Sequence, residues 1–193
     1  MTRLVPIAAA LLLAQGCATT PPAPVADNPL ANEPTETRKL PPGARPRPSG
    51  PQPVAMTFGR GIAKAADDLN FMLNVEVYED DSVKGTFSYS AQNDSGNLDI
   101  EAEVTCVSLD NDKGRGWVGG TITRNDSTDA RYTGHTEVWM RVFDRNLQNQ
   151  PPMVSAPLFA SGKIDSASEY CRRKPWSNEG LHLVQPGALA IFP

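Results

Sequence analysis

The segment from Leu98 to Gly120 constrains the fold more than any other part of this 193-residue chain. Because successive side chains of a β-strand point to opposite faces, its alternating first half predicts a half-buried strand that delivers Cys106 into a core. A polar turn containing glycine follows, and a second apolar run then begins a returning strand. The segment therefore predicts the central hairpin of a β domain. The apolar positions of its two strands are Leu98, Ile100, Ala102, Val104 and Cys106, then Trp117, Val118 and Ile122.

The alternation changes phase directly after Cys106. Val107 and Leu109 occupy positions that would lie on the polar face if the pattern continued. A β-bulge near residues 105–107 would cause this change, as would a strand that leaves one sheet for the other at the corner of a sandwich. The sequence leaves both explanations open.

Other short segments bounded by turn residues also show strand patterns, and no convincing amphipathic helix is found. With the hairpin they amount to roughly seven to nine short strands, which is typical of a sandwich or barrel. The predicted fold class is all-β: a single antiparallel β-sandwich or barrel after a disordered, proline-rich tether. The additional segments are Phe71–Val77, Lys84–Tyr89, Thr136–Phe143, Leu158–Lys163 and a pair within Gly180–Phe192 that is broken at Pro186.

The chain begins with one cation, Arg3, followed by an apolar run that ends in Gln15-Gly16-Cys17. The run is shorter than the roughly 20 apolar residues that cross a membrane, so it predicts a secretory signal peptide over residues 1–16. Its end resembles the lipobox of bacterial lipoproteins, although Ala14 stands where leucine is usual. The resemblance implies cleavage before Cys17 and lipidation of that residue. The alternative is an ordinary cleaved signal with an incidental cysteine.

Residues 17–53 are predicted to form a lipidated tether, because they are rich in proline and have no apolar periodicity to bury. The β domain is placed at residues 54–193. Ala18 follows the cysteine, whereas Asp at that place favours retention of lipoproteins in the inner membrane. The resemblance therefore implies localisation in the cell envelope, with the lipid anchor in the outer membrane as the contact with the membrane.

The composition argues against nucleic acid as a partner. The formal net charge is −4 and the pI is near 5.2, whereas phosphate backbones require a basic surface. Paired catalytic acids, Gly-x-Ser-x-Gly and His-Glu-x-x-His are not found, so no catalytic residue, metal ligand or cofactor is predicted. An envelope protein or a glycan is the expected partner besides the membrane.

The chain has three cysteines. If Cys17 is acylated, Cys106 and Cys171 remain, and in an exported protein they are expected to form a disulfide. The bond would attach the polar segment around Cys171 to the central hairpin. The alternative is a catalytic or redox thiol, although no histidine lies near either cysteine in the sequence.

Two surface features invite a functional interpretation. The turn Asp110–Gly114 begins like a calcium loop, but Arg115 and Thr121 stand where that pattern wants glycine and glutamate, so we interpret it as a tight turn. A basic, aromatic tip is predicted as a partner contact, with its tryptophan exposed, whereas Trp117 and Trp139 are expected to be packed. The tip consists of Arg172, Arg173, Lys174 and Trp176.

The cysteine-containing hairpin resembles a pattern found in small secreted bacterial β domains. The run Val104–Val107, a polar turn and Trp117–Gly120 carry the first part of the resemblance. Val142–Asp144, Cys171 and Gly187–Ile191 match the later strand end, second cysteine and C-terminal strand of those domains. The resemblance supports the fold and the disulfide, and it implies no activity.

The predicted function is non-enzymatic: a membrane-anchored bacterial lipoprotein that presents a β domain for binding or for envelope structure. The alternative is a carbohydrate-binding module or a weak hydrolase acting on envelope glycans. A groove lined by exposed aromatic residues and two carboxylates would favour the alternative.

Overall fold

Eight antiparallel strands form one sheet that closes on itself as a barrel in the computed structural model, which describes residues 50–145 and 149–193. Each strand pairs with the next along the chain, and the last pairs with the first. The all-β prediction is confirmed, and of its two alternatives the barrel is found. The predicted signal peptide and the tether up to residue 49 lie outside the described residues. The strands are β1 Pro53–Lys64, β2 Asp68–Tyr78, β3 Val83–Asn93, β4 Gly96–Asp110, β5 Arg115–Asn125, β6 Glu137–Phe143, β7 Met153–Ser155 and β8 Leu181–Phe192.

Apolar side chains from all eight strands meet inside the barrel. Period-two alternation sends every second side chain inward, and removing these groups from water supplies the main driving force for folding. Inside the barrel, the hydroxyl of Tyr89 donates a hydrogen bond to the carbonyl oxygen of Ser155 at 2.9 Å. The largest fully buried members of this core include Leu73, Phe87, Tyr89, Leu98, Ile100 and Met140.

The phase change in β4 is a β-bulge. Val104 pairs with Gly120 and Cys106 pairs with Gly119, so Thr105 has no partner on β5. The extra residue turns the strand over: Val107 packs against the inner core, whereas Cys106 packs with a cluster outside the barrel. The prediction that Cys106 points into the core is therefore wrong, because the bulge comes one residue before the cysteine.

A second apolar cluster covers the outer face of β5 and β6. Val138, Met140 and Val142 point into the barrel, and between them Trp139 points outward. Trp117 on β5 lies beside it, and each indole is only 3% exposed. The sequence prediction that both tryptophans are packed is confirmed.

The cover is provided by a helix that the sequence reading did not predict, α1, at Ala167–Arg173. Ser166 caps its N-terminus by accepting a hydrogen bond from the backbone N–H of Glu169 at 3.2 Å. The Glu169 carboxylate in turn accepts from the N–H of Asp165 at 3.0 Å. This arrangement resembles a capping box, which satisfies backbone donors that a helix end leaves unpaired.

Two strand predictions near the C-terminus are corrected. Residues 158–163 form only an isolated bridge between Leu158 and Trp139, because the flanking prolines remove ladder donors. The pair predicted within residues 180–192 is one strand, β8, whose first part pairs with β7 and whose second part pairs with β1. Within the described residues, no helix has the length and apolar character that crossing a membrane requires.

Candidate functional site

A cleft of about 300 Å³ opens on the outer face of the barrel, where four segments meet. They are β6, the loop at residues 158–164, helix α1 and the connection from α1 to β8. Most of the lining is apolar or aromatic, which is typical of sites that take small molecules. The lining residues are Trp139, Arg141, Leu158, Phe159, Ser161, Ile164, Tyr170, Pro175, Trp176 and Ser177.

A disulfide between Cys106 and Cys171 holds α1 against the barrel, with the two Cα atoms 6.1 Å apart. The predicted pairing is confirmed. Gly119, directly opposite Cys106, leaves the space that the bond and the helix need. A Cβ atom there would lie 2.8 Å from Cβ of Ala167 and 2.9 Å from Sγ of Cys106. The disulfide therefore fixes the helix that carries Tyr170, one wall of the cleft.

Arg141 organises the connection between α1 and β8. Its guanidinium donates hydrogen bonds to the carbonyl oxygens of Ser177, at 2.6 Å, and Glu179, at 2.8 Å. The side chain comes from the outer face of β6 and is only 9% exposed. A buried cation is stable only where polar groups replace its water, and these two carbonyls do so in part. The cleft thus has a positive charge in its lining.

Trp176 is held in place from several sides. Its ring contacts those of Trp117 and Phe143 edge to face, each with centroids 5.4 Å apart, and the Arg115 guanidinium lies 4.5 Å from its centroid. The indole N–H of Trp117 donates to the carbonyl oxygen of Pro175 at 2.8 Å, which fixes the neighbouring backbone. Trp176 is consequently half-buried and forms a wall of the cleft, whereas the sequence predicted an exposed side chain.

Two polar atoms of the lining residues are buried without a hydrogen-bond partner: the hydroxyl of Tyr170 and Nε of Arg141. The Tyr170 ring stacks on Trp139 with centroids 5.5 Å apart, and the residue is 2% exposed. Burial raises the pKa of the Tyr170 hydroxyl, and the nearby Arg141 charge opposes that shift. The hydroxyl therefore stays protonated at neutral pH and remains a donor.

The predicted basic tip divides into members inside and outside the cleft. Arg173 forms an ion pair with Glu169 at 2.7 Å and donates to the carbonyl oxygen of Lys163. Arg172 reaches the same carboxylate only at 3.9 Å, and Lys174 ends the helix in the left-handed conformation. All three cations are exposed, and of the four residues only Trp176 lines the cleft. Their role as a partner contact stays a prediction.

The Asp110 turn has the geometry of a capped turn. Asp110 accepts from the backbone N–H of Lys113 at 3.2 Å, and its other carboxylate oxygen lies 3.3 Å from the Lys113 ammonium. A short 3₁₀ turn follows, and Gly114 ends it with φ of 63°. Across residues 50–145 and 149–193, no group of three or more potential metal-ligating acids, histidines or cysteines occurs. Cys17, the predicted lipidation site, lies outside the described residues.

Sequence reasoning missed the two residues that distinguish this cleft. Arg141 is the one charged residue after Glu137 in the otherwise apolar strand Glu137–Phe143, and such a residue requires an explanation wherever a strand is covered on both faces. Tyr170 follows the Ser166-x-x-Glu169 signature, which would have predicted the helix. Neither signal indicates that the two residues line the same cleft.

Comparison with known proteins gives no further guide to the site. No family model, no curated protein and no solved structure matches this chain. The resemblance to bacterial lipoproteins and to small secreted β domains therefore stays a prediction.

Proposed function

We propose that this chain is a bacterial lipoprotein, anchored in the cell envelope through Cys17, that presents its β-barrel as a non-enzymatic binding domain. The outer cleft is the proposed binding site. The observation that carries the proposal is the pair of unpartnered donors, Tyr170 hydroxyl and Arg141 Nε, among residues that line it. A buried donor without a partner costs about 1–3 kcal/mol, so two in one apolar cleft favour a bound acceptor.

The anchoring part of the proposal rests on the N-terminal sequence alone. It predicts that Cys17→Ser moves the protein from the membrane fraction to the soluble fraction and abolishes labelling by a palmitate analogue. Thr19→Ser, a conservative change two positions away, is the matched control and should behave as wild type. Membrane attachment that persists in the Cys17 variant would contradict lipid anchoring.

The binding part is tested in intact cells with a photo-reactive amino acid at Ser161, an exposed residue of the cleft lining. The control carries the same group at Ser82, exposed in the turn between β2 and β3. We expect a discrete adduct from position 161 that is missing from position 82. Equal labelling at both positions, or none at position 161, would argue against a site in this cleft.

Glycan binding is a second candidate, favoured by Trp176 and Phe159, the half-buried aromatic residues of the cleft lining. Aromatic rings stack on the apolar faces of sugars, and the cleft has room for about one such ring. The weak-hydrolase form of this alternative has no support here, because the lining includes no carboxylate. Co-sedimentation with purified peptidoglycan, compared between wild type and Trp176→Ala, tests the glycan candidate.

A further inference from the structure

We infer that the cleft binds a carboxylate attached to an apolar or aromatic body. This inference rests on the proposed binding function and specifies its ligand. It follows from three properties of the lining taken together: a buried positive charge, two donors without partners, and apolar walls.

The positive charge favours an anion. Within the described residues, the Arg141 guanidinium donates to the carbonyl oxygens of Ser177 and Glu179, which carry only partial charges. Each terminal nitrogen donates one N–H there, and Nε is the guanidinium nitrogen that has no partner. A charge-assisted hydrogen bond from this atom is about twice as strong as one between neutral groups.

The number and kind of donors favour a carboxylate over larger anions. A carboxylate is an acceptor with two oxygens, and two converging donors satisfy one lone pair on each. Arg141 Nε–H and the Tyr170 hydroxyl are two donors without a partner, and both belong to residues that line this cleft. A phosphate or sulfate has more acceptor oxygens than these two donors can satisfy by hydrogen bonding.

The remaining walls favour an apolar body on the acid. Leu158, Phe159 and Ile164 line the cleft together with Trp139 and Trp176. A volume of about 300 Å³ is at the small end of ligand sites, so the body has the size of a single ring or a short branched chain. Free acids and the C-terminal carboxylate of a peptide ending in a hydrophobic residue share this chemistry.

Calorimetric titration of the purified, oxidised full-length chain tests the inference with four probes. 3-Phenylpropionate represents the free acid and N-acetylphenylalanine the peptide C-terminus, and the primary amide of each is the uncharged control. We expect at least one acid to bind and its amide to bind at least about tenfold more weakly, since the amide loses the charge-assisted bond. Whichever acid binds more tightly identifies the source.

Tyr170→Phe is the decisive variant, because its hydroxyl has no protein partner and its removal leaves the packing intact. We expect the melting temperature to be kept or raised and the Kd of the acid to rise about tenfold. Tyr78→Phe is the matched control: Tyr78 lies on β2 and bonds Glu76, away from the cleft lining, so acid binding should be unchanged.

Three results would overturn the inference. If an acid and its amide bind equally, the cleft is a binding site without carboxylate preference, and the proposed function stands. If acid binding is insensitive to Tyr170→Phe, the acid binds elsewhere. If none of the four probes binds while position 161 still gives its specific adduct in cells, the ligand belongs to another class. Failure of that adduct as well would remove the proposed function itself.

Discussion

The guanidinium of Arg141 donates to the carbonyl oxygen of Ser177 across 36 positions of sequence, at 2.6 Å. With the bond to Glu179, this contact joins β6 to the connection between α1 and β8. Strand β6 therefore contributes side chains to the inner core and also holds the outer loop in place. The position of that loop depends on the barrel for this reason.

We expect Arg141→Met to lower the free energy of unfolding by about 2–3 kcal/mol, because two carbonyls lose a charged donor. Trp176 should become more exposed, which a red shift of its fluorescence would report. Arg172→Met is the control: that side chain is 73% exposed and its contact with Glu169 is 3.9 Å, so the change should stay within about 0.5 kcal/mol. Equal losses in both variants would contradict the role given to Arg141.

Removing the disulfide by Cys106→Ser and Cys171→Ser together should lower the free energy of unfolding by about 4 kcal/mol. The bond closes a loop across 65 positions, and the estimate is the chain entropy returned to the unfolded state. Urea unfolding of the double variant measures the change, and reduced wild-type protein should unfold at a similar midpoint. A midpoint unaffected by reduction would contradict the prediction.

Ser166→Ala should destabilise the protein by about 1 kcal/mol, since the backbone N–H of Glu169 loses its cap. Ser168→Ala makes the same chemical change two positions later, at an exposed site inside α1. Alanine favours helix there, so the control should be neutral or slightly stabilising. Thermal unfolding of the two variants side by side measures the difference, and a larger loss at residue 168 would refute the capping role.

Gly114→Ala should be strongly destabilising, because Gly114 is buried and has a left-handed backbone conformation. Gly114 has φ of 63°, and a Cβ atom there would lie 2.1 Å from the carbonyl oxygen of Asp144. Gly134 has φ of 75° with nothing within 4 Å, so Gly134→Ala isolates the conformational cost of about 1 kcal/mol. We expect Gly114→Ala to exceed this control by at least about 1 kcal/mol in chemical unfolding, because the backbone must move. Similar losses of unfolding free energy in the two variants would indicate that the Asp144 carbonyl moves aside at little cost.

Stability should fall in acid as Asp129 takes up a proton. Hydrogen bonds from the Arg131 guanidinium and backbone hold the pKa of this buried carboxyl at about 2. An unfolded aspartate has a pKa near 3.9. The stabilisation that ionised Asp129 contributes is therefore present above about pH 4 and is lost as pH falls through 2. Asp129→Asn should have a melting temperature that varies less between pH 4 and 2. If the melting temperatures of variant and wild type fall equally between pH 4 and 2, the role given to Asp129 is contradicted.

The sequence predicted the barrel's strands where one face alternates over many residues, as from Leu98 to Val104. It failed to place Cys106, because the unpaired residue of a bulge is decided by the register with β5. Helix α1 was missed since it has seven residues and only Ala167, Tyr170 and Cys171 buried, too few to show a helical period. The capping pair Ser166 and Glu169 was the stronger sequence signal for this helix.

The cleft could not be predicted from the sequence for a related reason. Its lining comes from segments between residues 139 and 177, and nothing local relates Arg141 to Tyr170. The basic tip drew attention to the right region through Trp176. Its charges, however, are neighbours in sequence that point to solvent, whereas the charge in the cleft comes from a strand 31 positions before Arg172.

The packed interior of the barrel is separate from the residues that line the outer cleft. Side chains from all eight strands pack inside, and the cleft lies on the opposite face of β6, with the backbone of one strand between them. Free-energy changes at sites without shared partners are nearly additive. A substitution at Phe87 inside and one at Ile164 outside should therefore act independently, so the loss in a double variant should equal the sum of the two single losses.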